Sequence, residues 1–139
     1  MNREEVNTYP ILVSKAYWLT SKIMQLRSRI DSPRIPLLTG QPGARTVLPG
    51  SAQEHLADEY LDAFPMYEDE LKETREHILR IEAAVQLLPE KERLVTRLHC
   101  FERHGYKWIA SYMDLSISTI TVIQLNAYKL LEEQEEKDG

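Results

Sequence analysis

The chain has 139 residues, 42% of them hydrophobic and 28% charged, with five glycines and a net charge of −5. This composition fits a helix-rich chain that forms one compact domain, or a small domain with a helical extension, and argues against a β-sandwich. No apolar run approaches the ~18 residues that span a bilayer, and the single cysteine, Cys100, excludes an intrachain disulfide, so a reducing cytosol is the expected setting.

The net charge hides three blocks. Residues 1–50 carry +4, residues 51–88 carry −7 and residues 89–139 carry −2. Within the last block, residues 89–131 are mildly basic at +2, and the tail "EEQEEKDG" carries −4. A basic module between acidic segments is one reading; solvated helix faces are the other.

In chain order, "YPILV" (Tyr9 to Val13) follows Glu4 and Glu5 and lacks the length and cleavage site of a signal peptide. From there the apolar positions Leu12, Ala16, Leu19, Ile23, Leu26 and Ile30 alternate in steps of 4 and 3, a heptad seam on one helix. "SPRIP" (Ser32 to Pro36) ends it, since proline lacks an amide donor and restricts its predecessor. Residues 31–50 hold four prolines and three glycines without periodicity, which predicts a long linker.

"SAQE" (Ser51 to Glu54) matches a capping box and predicts a short helix from Ala52 to Phe64. Pro65 should kink or restart it. A second seam follows at Tyr67, Leu71, Thr74, Ile78, Ile81, Val85 and Leu88, with Glu, Lys and Arg crowding the other faces. Two heptad helices joined by a linker suggest an antiparallel helical hairpin; a parallel homodimeric coiled coil buries the same stripe. Leu12, Leu19, Ile23, Leu26, Leu71, Ile78, Ile81 and Val85 are therefore the candidate oligomer or partner seam. The region 1–88 forms one expected domain.

The next expected domain, 89–133, opens at Pro89, with Glu90 and Glu92 suited to a helix N-terminus. Leu94, Val95, Leu98 and Phe101 form its buried stripe, and Gly105 should stop the helix. A short helix then holds Trp108, Ile109 and Tyr112. After the turn "MDLS", Ser116 should cap a third helix reaching Glu133, with Ile120, Ile123 or Gln124, Ala127 and Leu131 inward. Residues 134–139 form an acidic tail.

The stretch "LPEKERLVTRLHCFERHGYKWIASYMDLSISTITVIQLNAYKLLE" (Leu88 to Glu132) resembles the fourth conserved region of bacterial sigma factors. The matching residues are Leu88, Pro89, Arg93, Gly105, Ile109, Ala110, Ser116, Thr119, Ile120 and Ala127. Together with the heptad segments and the Pro/Gly linker, the organisation is similar to that of the RinA- and ArpU-like phage and prophage regulators over nearly the whole chain. The resemblance implies an all-α fold, a sigma-like helix-turn-helix and a transcriptional regulator acting in a bacterial cytoplasm, with late genes as candidate targets. Three departures stand out: Asp114 replaces the usual turn glycine, Trp108 replaces a usual glutamate, and the third helix lacks the charged residues typical of its first turns.

In such a module the third helix enters the major groove of double-stranded promoter DNA. Candidate contacts there are Ser116, Ser118, Thr119 and Thr121 through hydroxyls, Gln124 to adenine if it faces outward, and Ile117 and Val122 to thymine methyls. Arg103, Lys107 and Lys129, with Arg93 and Arg97, are candidate phosphate contacts. Few base-reading groups in one protomer point to help from a homo-oligomer or from RNA polymerase. The apolar run Val122, Ile123 and Leu125 keeps a second function open. That alternative is a factor or inhibitor that binds a host protein, RNA polymerase or a defence nuclease, through apolar and acidic helix surfaces.

Catalysis has little support. His99, Cys100 and His104 cluster, but a closed zinc site needs four ligands. No phosphate-binding glycine loop or nucleophile elbow is present. No enzyme activity, catalytic residue, metal or cofactor is expected.

Overall fold

The computed structural model describes the backbone of residues 1–31 and 50–138, and the side chains of 1–29 and 63–136. The linker expected at 31–50 lies outside the described residues over 32–49, as do the side chains of the Ser51–Glu54 box and His55. Every described element is helical: α1 (Arg3–Asn7), α2 (Tyr9–Asp31), α3 (Gly50–Gln86), α4 (Glu90–Thr96), α5 (Tyr106–Met113) and α6 (Ile117–Asp138), with a π-helical turn at Arg97–Phe101. No described helix is long and apolar enough to cross a membrane.

The chain divides into two compact units, Met1–Lys15 with Thr74–Gly139, and Ala16–Glu73. The division departs from a boundary at 88/89. The N-terminal segment and the end of α3 belong to the same unit as α4–α6, because their apolar side chains share its core.

In the smaller unit, Leu19, Ile23 and Leu71 form the buried cluster, with Ala16, Phe64 and Tyr67 packed against it. The break expected at Pro65 is absent: α3 runs 37 residues with Pro65 inside it. A proline in a helix interior costs about 3 kcal/mol. Phe64, Tyr67 and Leu71, packed against the α2 cluster around that proline, offset it. Arg27 closes this packing with its guanidinium 5.5 Å from the Phe64 ring centre and 3.9 Å from the Glu68 carboxylate.

The larger unit has two clusters. Val6, Ile81, Val85, Leu88, Cys100, Ala127, Tyr128 and Leu131 form one. Val95, Leu98, Ile109, Ala110, Ile120 and Ile123 form the other. Tyr9 lies flat on Phe101 at 3.8 Å and donates its hydroxyl to the Glu82 carboxylate. Of the eight seam positions, Leu19, Ile23, Leu26, Leu71, Ile81 and Val85 are buried, while Leu12 and Ile78 are half-buried. Leu19, Ile23 and Leu71 pack together in the smaller unit, and Leu12, Ile81 and Val85 pack in the larger one.

Two boundaries and one buried stripe differ from expectation. Gly105 does not end a helix by a left-handed turn; it is extended (φ −74°, ψ 160°) and precedes α5. The reversal falls on Arg103, with φ 58°. The helix widens at its end, where the Glu102 amide donates to the Arg97 carbonyl at 3.0 Å and the His104 amide to the Leu98 carbonyl at 2.9 Å. Leu94 is partly exposed, and Thr96 and Cys100 take buried places in that stripe. Finally, α6 runs past Glu133 to Asp138, so the acidic tail is helical through that residue.

Candidate nucleic-acid interface

The tight connection between α5 and α6 follows from three residues. Asp114 adopts the left-handed conformation (φ 57°, ψ 45°), which aspartate tolerates better than most residues. The Asp114 amide donates to the Ser111 carbonyl and the Leu115 amide to the Ala110 carbonyl, the Schellman pattern that satisfies the end of α5. Ser116 then caps α6, accepting the Thr119 amide at 3.1 Å. Ile120 and Ile123 turn inward onto Ile109 and Ala110 of α5 and Val95 and Leu98. Asn126 donates its amide to the Glu92 carboxylate of α4 at 3.0 Å. The outer face of α6 is thereby fixed.

That face is apolar. Ile117, Val122 and Leu125 are 50%, 65% and 51% exposed. Ser116, Ser118 and Thr119 are also exposed, and Thr121 is half-exposed. Most of these hydroxyls are engaged within the helix. Thr121 donates to the Ile117 carbonyl at 3.0 Å, and the Ser116 and Thr119 hydroxyls bond each other at 2.8 Å. Gln124 is a correction. It is fully buried, and its Nε2 donates to the Thr96 hydroxyl at 3.3 Å, so it cannot reach a base edge. α4 covers the face of α6 that holds Gln124.

Arg103, Lys107 and Lys129 are exposed, and among the described residues none is paired with a carboxylate. Arg93 and Arg97 are partly engaged: the first reaches the Gln86 carbonyl at 3.4 Å, and the second lies 5.7 Å from the Phe101 ring centre. An anion can meet the first three without displacing an existing intramolecular contact, which makes them the better-placed candidates of the five.

An aromatic ladder was not singled out from sequence. His104 lies on Trp108 at 3.7 Å, and Trp108 on Tyr112 at 5.2 Å, with near-parallel rings. The steps of four residues between these rings were its available signal. Trp108, in the middle of the ladder, stays exposed on α5.

The His99–Cys100–His104 cluster resolves into structural roles. His99 Nδ1 donates to the His104 carbonyl at 2.9 Å. Cys100 is buried, and burial pushes its thiol up from the ordinary range, against the hydrogen bond with the Tyr128 hydroxyl at 3.5 Å. Burial and the Cys100 bond push the Tyr128 phenol up to about 12. Among the described residues, no group of three His, Cys, Asp or Glu could hold a metal ion. His77 is half-buried and sits 3.0 Å from Glu5.

Comparison of the chain with protein families, with curated proteins and with solved structures finds no match.

Proposed function

We propose that this chain is a phage- or prophage-type transcriptional regulator that binds promoter DNA through α5 and α6, used as a sigma-region-4-like helix-turn-helix. The segments of α2 and α3 act as a helical hairpin that carries this module. The observation that supports the reading best is the exposed outer face of α6 beside three free cations, Arg103, Lys107 and Lys129. The first turns of α6 enter the major groove, and the cations neutralise flanking phosphates. With Gln124 buried, one protomer offers few base-reading groups. Affinity is completed by a second copy or by RNA polymerase at the promoter.

The test is titration of the full chain against phage promoter DNA at two salt concentrations. Three phosphate contacts give a slope of roughly −3 in log affinity against log salt. Lys107→Glu combined with Lys129→Glu should weaken binding and flatten that slope. Absence of binding even at low salt rejects the reading.

A second reading draws on the same apolar face. Ile117, Val122 and Leu125 could instead meet a host protein such as RNA polymerase or a nuclease. In that case the double charge reversal leaves partner binding unchanged, and Leu125→Glu abolishes it.

A further inference from the structure

We infer that the outer face of α6 reads thymine methyl groups, so that the target of this module is T-rich duplex DNA. This inference rests on the DNA-binding reading above and specifies its ligand.

The argument is one of elimination followed by fit. In the major groove, guanine is read best by Arg or Lys and adenine by Asn or Gln. The first turns of α6 present neither pair of side chains. Gln124 is buried against Thr96, and Asn126 is held by Glu92. The Ser116, Thr119 and Thr121 hydroxyls already bond within the helix, and hydroxyls, which both donate and accept, discriminate poorly between bases. What remains outward is branched hydrocarbon: Ile117, Val122 and Leu125. Thymine is the one base of DNA that presents a methyl group in the major groove.

Charge complementarity selects DNA over an apolar partner. Arg103 and Lys107 stand at the α5 end of the module and Lys129 further along α6, all exposed and unpaired among the described residues. Glu132 and Glu133 follow Lys129, so the contact is confined to the turns before them.

The test compares the full chain on two alternating duplexes, poly(dA-dT) and poly(dA-dU), at low salt by fluorescence anisotropy. They present the same hydrogen-bonding groups and differ only in the C5-methyl. Burial of two methyl groups should make the thymine duplex bind about tenfold tighter. Ile117→Ser combined with Val122→Ser should remove that discrimination, so that the ratio of the two affinities falls to about one. Both positions are exposed, so the fold is preserved, and the wild-type comparison stands without the variant.

Equal affinity of the wild type for the two duplexes overturns methyl reading and leaves DNA binding intact. Discrimination that persists in the double variant overturns its assignment to this face. No binding to either duplex overturns this inference and the DNA-binding reading together. Equal affinities, with Leu125→Glu turning a dimer into a monomer, show that a second copy covers the face and overturn the inference.

Discussion

Gln124 of α6 and Thr96 of α4 are both fully closed to solvent and share one hydrogen bond, from the Gln124 amide to the Thr96 hydroxyl at 3.3 Å. The other end of that amide, Oε1, has no protein partner. The pair therefore carries an unsatisfied acceptor inside the core. Thr96→Val should strand the amide entirely and destabilise the fold by about 1–3 kcal/mol. Adding Gln124→Leu removes the stranded group, so the double variant should recover most of that loss. Urea denaturation of the wild type and both variants tests the order; a double variant less stable than Thr96→Val contradicts it.

Arg103 holds a left-handed backbone without glycine's freedom. Such a conformation costs an ordinary side chain about 1–2 kcal/mol, against the extra chain entropy that glycine loses on folding. Arg103→Gly should raise thermal stability by about 0.5–1 kcal/mol. It also deletes a proposed phosphate contact, so DNA affinity should fall as stability rises. Melting curves and DNA titration of the same variant measure both. A variant that is less stable would show that the arginine side chain contributes to the fold.

Pro65 interrupts the hydrogen-bond ladder of α3 without ending it. Pro65→Ala restores an amide donor and removes the ring's clash with the preceding turn. The variant should melt later, by at most about 3 kcal/mol of stability, with a gain in helical circular dichroism. An unchanged or lower melting temperature would show that a bend at Pro65 is needed by the packing of Phe64 and Tyr67.

Two tyrosines set the response to alkali. The phenols of Tyr9 and Tyr128 rise from 10.0 to about 12, chiefly through burial. Below pH 10 both are protonated whether the chain is folded or not. Between 10 and about 12 the unfolded chain releases these protons and the folded chain keeps them. Stability therefore falls as pH rises through this window and is lost from these groups above it. Tyrosinate absorbance should show Tyr9 and Tyr128 titrating late, alongside Tyr106, whose phenol burial also raises. Tyr9→Phe and Tyr128→Phe should each remove one late titration.

The helices were legible in sequence where spacing alone decides the outcome. The 4–3 steps of Leu19, Ile23 and Leu26 place them on one buried stripe, and Ser116 and Asp114 fit their cap and turn by local chemistry. The misread positions were decided by tertiary contact. Gln124 sits at the border of the inward stripe of α6, and only the placement of Thr96 opposite it makes burial the outcome. Gly105 was the obvious terminator, but the π-helical turn moves the reversal to Arg103. Pro65 marks a local break that packing on α2 overrides. In the candidate interface, the exposed Ile117 and Val122 were readable, while the engagement of the hydroxyls around them needed coordinates.

Val6 shares a core with Ala127, Tyr128 and Leu131, and Asn7 bonds the Tyr128 hydroxyl across 121 positions of sequence. The order of synthesis therefore opposes the order of packing. Leu19, Ile23 and Leu71 have all left the ribosome before Ala127 is made, whereas the core around Val6 is complete only once Ala127, Tyr128 and Leu131 follow. Closing so wide a loop adds conformational entropy to the folding barrier. A nascent chain stalled before Ala127 should yield its first residues to protease, and release of the finished chain should protect them.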